Sequence, residues 1–453
     1  VALLRWRPII VVTALLLIGA SCGNSKGSAG DTTLAKFTAP SDGGASHRAT
    51  HDPISGVPGV TDSSISYAVV GTKANNPLGT CLLDCYLSGI NAYFAYRNSQ
   101  GGIYGRKLTV GQAIDDQLAN NEKVNLGIIS GKKAFGTFQA GLLQQGWGDL
   151  DNAGVPTYTW GIDATSAANR DAIFPSTVIR CPDCIRVTLP YVASLSGAKK
   201  AAVLGYGTSQ NSKVCADSSG AAIKHYAKDS GVTLAYLKDD LAYGLPNGIG
   251  PEVTAMKQAG VGFVATCFDL NAMKTLAQEL KRQGMSNVVL YHPNTYNQAF
   301  VKAAGGLFDG NYVGVQFRPF EAANGTSALA QFKTWMAKGH SPLTELAMVG
   351  WINASLAYDG LLAAGPHFDR AKVLAATNAM SHFTADGLIP PIKWADAHTP
   401  YTQATQSSVK DPECSAVVKV VNGQFQNVAP KDKPWLCWNT SDTWAPPVPT
   451  EFH

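Results

Sequence analysis

From Ser64 onward, short runs of β-branched and apolar residues alternate with longer stretches whose apolar positions recur at helical spacing. That alternation predicts parallel sheets covered by helices on both faces. A first series has strands near 64–70, 107–113, 134–138 and 155–160, with helices near 85–98, 117–129 and 141–152 between them. The pair Gly101-Gly102 marks the end of the first helix. A second series has strands near 200–206, 232–237, 262–267, 287–292 and 312–317, and helices near 186–196, 220–230, 250–258 and 271–283. Two series of one pattern imply two similar α/β lobes, although no residue-level repeat relates them.

The last third returns to long helical periods near 327–337, 343–364 and 370–380, then ends in loop-rich sequence with Trp394, Trp435, Trp438 and Trp444. Too few strands remain for a third domain. These segments are therefore expected to complete both lobes, so that the chain passes between them more than once and the connections form a hinge.

The first residues follow another rule. Arg5 and Arg7 precede an apolar run from Ile9 to Ile18, followed by Gly19, Ala20 and Ser21 before Cys22. This is the layout of a secretion signal. The run is about half of the roughly 20 residues a membrane-spanning helix needs. About 40 residues rich in Gly, Ser, Ala, Thr, Asp and Pro follow, too poor in apolar side chains to form a core, and read as a flexible tether.

Composition changes the picture little: 45% hydrophobic and 15% charged residues suit a chain with an ample core. Removing Arg5 and Arg7 with a leader takes the net charge from +4 to +2, too weak a field to mark nucleic acid or an anionic membrane surface as the partner. Cysteine says more. Besides Cys22 there are eight, an even number that suggests disulfides in an exported chain: Cys81 with Cys85, Cys181 with Cys184, Cys215 with Cys267, and Cys414 with Cys437, paired by proximity. The alternatives are a zinc site built from the first four and a redox-active Cys181-Pro-Asp-Cys184.

Enzyme motifs are sparse. The Gly-x-Ser-x-Gly match lies in the leader, at 19–23, where no strand-turn-helix can form around it. Gly205-Tyr206-Gly207-Thr208-Ser209-Gln210 lacks the third glycine of a dinucleotide loop, and the nine histidines show no metal-ligand spacing. No catalytic residue, metal or cofactor is expected.

The string Gly89-Ile90-Asn91-Ala92-Tyr93-Phe94-Ala95-Tyr96-Arg97-Asn98-Ser99-Gln100-Gly101-Gly102-Ile103-Tyr104-Gly105-Arg106-Lys107-Leu108, with Asp115-Asp116 after it, resembles the leucine/isoleucine/valine-binding family of periplasmic solute-binding proteins. The likeness runs through Val155-Pro156 to Gly387-Leu388-Ile389-Pro390-Pro391-Ile392-Lys393-Trp394. It implies a type I periplasmic binding protein fold: two doubly wound parallel-sheet lobes, a three-crossing hinge near 177–181, 317–319 and 388–392, and a ligand cleft between the lobes. Cys22 after its small residues resembles a lipobox, in which the cysteine carries lipid. The implied plan is a lipoprotein signal peptide at 1–21, a tether at 22–61, one lobe from 62–178 with 319–388, and the other from 179–318 with 389–445.

What the resemblance further implies is a monomeric solute-binding lipoprotein at the outer face of the membrane. It would deliver a small molecule to an ABC permease and touch the membrane only through its anchor. The alternatives are a lipoprotein that senses ligand without transport, and an exported enzyme.

In open α/β sheets ligands sit beyond the carboxyl ends of the strands. That rule selects the loops holding Thr137, Gln139, Tyr158, Trp160, Tyr206, Asp269, Asn294, Tyr296 and Phe317 as ligand-binding candidates. Aromatics would enclose an apolar body, while Gln139, Asp269 and Asn294 would hold polar groups. Members that bind amino acids carry a hydroxyl cluster where this chain has Thr137-Phe138-Gln139-Ala140, and an acid where it has Asn294. With both clamps altered, the expected ligand is not a branched-chain amino acid.

Overall fold

The computed structural model describes residues 53–453 except 78, 178–184, 294, 324–326, 399–412 and 441–442, with backbone only at 164 and 327. The leader at 1–21, Cys22, most of the tether, the Cys181–Cys184 pair, Asn294 and most of the crossing near 177–181 lie outside the described residues.

The first sheet is parallel throughout. It holds β1 (Ser64–Gly71), β2 (Lys107–Asp115), β3 (Gly136–Ala140), β4 (Thr157–Thr159) and β5 (Ile173–Pro175) in the order β2-β1-β3-β4-β5. The second repeats the order with β6 (Lys200–Tyr206), β7 (Thr233–Leu241), β8 (Phe263–Thr266), β9 (Val289–His292) and β10 (Tyr312–Val315), arranged β7-β6-β8-β9-β10. In each sheet the chain reverses its direction of winding between the first and third strands. At that point loops diverge and leave a crevice.

Beyond β10 the second sheet turns antiparallel, with β11 (Glu413–Val421) followed outward by β13 (Trp435–Trp438) and β14 (Val448–Thr450), while β12 (Gln424–Asn427) pairs with β11. The sequence pattern predicts loops here. The missed signal is Asn422-Gly423, whose φ angles of 51° and 69° form the two-residue hairpin turn that Asn-Gly favours.

Helix starts moved for equally local reasons. The helix expected at 220–230 begins instead at Gln210, because the Ser209 hydroxyl accepts from the Ser212 amide as its N-cap, and it runs Gln210–His225 before a short turn at Ala227–Ser230. The helix expected from 141 starts only at Trp147, after Gly146 at φ 75°, which leaves 141–145 as loop.

Helix Leu83–Ser99 covers one face of the first sheet and packs against Ser327–Lys338 and Glu345–Ala364. The contact is backbone to backbone: a Cβ on Gly89 would lie 1.7 Å from the Ala347 carbonyl oxygen, and one on Gly350 would lie 2.2 Å from that of Tyr86. Helix Glu345–Ala364 is long and apolar enough to cross a membrane, but most of it is buried inside the fold. The chain therefore passes between the lobes three times, after β5, after β10 and after helix Arg370–Asn378.

Two of these passages touch, where the Arg318 amide donates to the Leu388 carbonyl at 2.7 Å. Arg318 is fully buried there, donating to both Glu451 oxygens at 2.6 Å and to the Ala323 carbonyl. Three of the expected disulfides are formed: Cys81–Cys85, Cys215–Cys267 and Cys414–Cys437. The first removes the zinc alternative for its two cysteines.

Candidate functional site

A cavity of about 1280 Å³ is lined from both lobes and by the passage at Ile389 to Lys393. It exceeds the roughly 300–1,000 Å³ of common ligand pockets. From the first lobe come Leu82 beside the Cys81–Cys85 loop, Leu142 and Gln144 after β3, and Trp160 to Asp163 after β4. From the second come Tyr206 at the end of β6, Tyr243 after β7, and Phe268 and Asp269 after β8. These are carboxyl ends of strands, as the doubly wound rule requires.

The second-lobe wall is aromatic. The Tyr206 ring lies 4.9 Å from those of Tyr243 and Phe268, centroid to centroid. Asp269 caps helix Leu270–Arg282, its Oδ1 accepting from the amides of Asn271 (2.9 Å) and Ala272 (3.1 Å), while Oδ2 accepts from the Tyr206 hydroxyl. Burial, and then the neighbouring Asp269 carboxylate, raise the Tyr206 phenol well above its ordinary pKa, so it stays a donor. The capping geometry commits Asp269 to its own helix and to Tyr206, which leaves little of it to hold an ammonium group.

The nine sequence candidates divide accordingly. Trp160, Tyr206 and Asp269 line the cavity, and Asn294 lies outside the described residues. The other five sit in the core instead. Thr137 and Gln139 are fully buried on β3, where Gln139 Nε2 donates to Asn125 Oδ1 (2.9 Å) and Thr137 Oγ1 (3.0 Å), and Asn121 Nδ2 donates back to Gln139 Oε1 (3.3 Å). Their face of the strand meets helix Asn121–Gly131, not the cleft. Tyr158 packs between Phe138 and Phe174. Tyr296 and Phe317 belong to an aromatic cluster with Phe320, in which the Tyr296 hydroxyl donates to Glu321 and accepts from the Phe320 amide.

The sequence reading missed Leu82, Leu142, Gln144, Tyr243 and Glu345. Tyr243 obeys the strand-end rule and could have been found by it, since β7 ends at Leu241. Glu345 gave one cue, the Thr344 N-cap whose hydroxyl accepts from the Ala347 amide at 3.2 Å. Its place on the cleft depends on the returning helix.

A family model described as periplasmic binding protein matches residues 82–413. Among solved structures, a type 1 periplasmic binding protein of Bordetella pertussis Tohama I is 17% identical with a TM-score of 0.61, covering 81% of this chain and 99% of its own. A branched chain amino acid ABC transporter protein of Thermus thermophilus with bound valine is 16% identical, at TM-score 0.64 and 82% and 97% coverage. A solute binding protein of an R. palustris ABC transporter, in complex with 4-hydroxybenzoate, is 14% identical, at TM-score 0.64 and 84% and 98% coverage. No curated protein matches. With a family match over most of the chain and the two doubly wound sheets facing one cleft, the chain belongs to the periplasmic binding protein family, type I.

Proposed function

We propose that this chain is the solute-binding lipoprotein of an ABC importer, which captures a small polar or amphipathic molecule in the cleft and delivers it unchanged to a membrane permease. An extracytoplasmic location follows from the family. The observation that carries the reading is a cavity walled by strand ends of both sheets, with Trp160 on one side and Tyr206 and Tyr243 on the other. A ligand touching both walls favours the closed arrangement of the lobes by its differential contacts alone. In this reading the lobes follow the 62–178 plus 319–388 and 179–318 plus 389–445 division, Trp160 and Tyr206 contact the ligand, the protein is a monomer, and Cys22 carries the lipid.

The test is a thermal-shift screen of residues 53–453 against amino acids, amides, carboxylates, sugars and amines, with product analysis of each hit. A molecule that binds only the folded state raises Tm, by about 2.7 kcal/mol of stabilisation at a hundredfold excess over Kd. A stabilising compound recovered intact is the expected result; a hit converted to product, or no hit in any class, would sink the proposal. For the anchor, Cys22→Ala is expected to release the protein from membranes into the soluble fraction, and continued retention counts against lipidation.

A further inference from the structure

Among the described residues the cavity wall carries five carboxyl groups: Asp163, Asp269, Glu345, Asp396 and Glu413. Four have protein partners. Asp163 accepts from the Ser166 amide at 3.0 Å, and Asp269 is engaged as described. Asp396 pairs with Lys393 at 2.6 Å. Glu413 accepts from the amides of Val187 (2.9 Å) and Thr188 (3.1 Å) and from the Thr188 hydroxyl (2.6 Å).

Glu345 is the exception. It is 8% exposed, opens helix Glu345–Ala364 on the first-lobe wall beside Leu346, and makes no hydrogen bond or ion pair among the described residues. Burial pushes its carboxyl up to about 8, although a helix N-terminus ordinarily favours the anion. A desolvated carboxyl is costly when charged and without a protein partner to offset that, and the side from which a ligand group can reach Glu345 is the cavity.

The partner's charge follows from the surroundings. Among the described residues the wall bears five carboxyl groups against two cations, Arg186 and Lys393, and Lys393 pairs with Asp396. An anionic group placed at Glu345 would hold its carboxyl protonated and gain no ion pair, whereas a cation favours the carboxylate. Trp160, Tyr206 and Tyr243 present aromatic surface on the same cavity, which attracts a cation as well as an apolar body. Resting on the cleft as the capture site, we propose that Glu345 is its specificity-determining residue and selects ligands that join a protonated amine to an apolar or aromatic body, with the amine paired to the Glu345 carboxylate.

The experiment compares 2-phenylethylamine, 2-phenylethanol and phenylacetate by calorimetry on residues 53–453, on Glu345→Gln and on Glu345→Asp. The expected order is amine tightest and phenylacetate weakest, with at least tenfold between amine and alcohol. Glu345→Gln should erase that preference by weakening the amine at least tenfold, while the alcohol changes less than threefold. Glu345→Asp keeps the charge on a shorter stem and should fall between, which guards against a Gln variant that fails to fold. Phenylacetate binding tightest overturns the inference, as does amine binding unmoved by Glu345→Gln. Failure of the amine while other compounds raise Tm also overturns it and leaves the capture reading standing; no stabilising compound of any class removes both.

Discussion

In the first lobe the central strand β3 reads Gly136-Thr137-Phe138-Gln139-Ala140, and its two polar side chains join a buried amide network with Asn121 and Asn125. In the second, β8 reads Phe263-Val264-Ala265-Thr266, and Thr266 donates to the sulfur of Met273. Strand order is the same in both. The first lobe thus positions the floor of its wall by directional hydrogen bonds, which specify one arrangement when every member is satisfied. The second uses apolar packing and the Cys215–Cys267 link between helix Gln210–His225 and the end of β8. One topology accepts either solution, because topology decides where the wall stands and side chains decide what makes it stiff.

The largest effect is expected where the lobes meet. Arg318→Met leaves the largely buried Glu451 carboxylate without its cation, which should cost about 3–5 kcal/mol. Urea unfolding measures this, and a midpoint within error of the parent would show that the passage does not depend on the pair. Next come the central strands. Gln139→Leu strands Asn125 Oδ1 in the core and leaves Asn121 Nδ2 with Asp116 alone, for about 1–3 kcal/mol, whereas Thr266→Val removes a weak bond to sulfur and should cost below about 1 kcal/mol. Equal losses would erase the contrast between the lobes.

A third effect, read as a slope rather than a single loss, separates the lobes by pH. Burial lowers His292 on β9 to about 3, so the unfolded chain, with an imidazole near 6.5, takes up the proton first. Its contribution to stability is complete above about pH 6.5 and is lost as pH falls from there toward 3. Glu345 has the opposite sign: its raised folded pKa makes stability complete at acid pH and lost as pH rises from the unfolded carboxyl value toward 8. Each slope is at most about 1.4 kcal/mol per pH unit. Tm measured from pH 4 to 8 should therefore flatten on the acid side in His292→Gln and on the alkaline side in Glu345→Gln; unchanged profiles would mean that neither group is desolvated as described.

The parallel cores of both lobes were legible because their strands are short apolar runs set between helical periods, and β1 and β6 fall where that period changes. The antiparallel edge was less so, since Trp435-Leu436-Cys437-Trp438 carries no alternation and only Asn422-Gly423 announces a hairpin. The cleft was half legible. A strand-end rule finds Trp160 and Tyr206 but cannot separate a residue above the sheet from one inside it, and so it also selected Gln139 and Tyr158. Tyr296 and Phe317 failed differently, because aromatic side chains near a strand end satisfy one another. Glu345 was out of reach, since nothing local tells that a helix about 250 residues later in the chain returns beside Leu83–Ser99.

The Arg318–Glu451 pair joins positions 133 residues apart, and Thr384 donates in turn to the His453 carbonyl at 2.9 Å. The seam between the lobes is thus stitched by segments made at well-separated times during synthesis. Until the later segment arrives, Arg318 has no anion to neutralise and the outer edge of the second sheet lacks β14. Contacts between such distant positions reward loop closure slowly, and the hinge becomes a defined joint only after the chain has been made through Glu451.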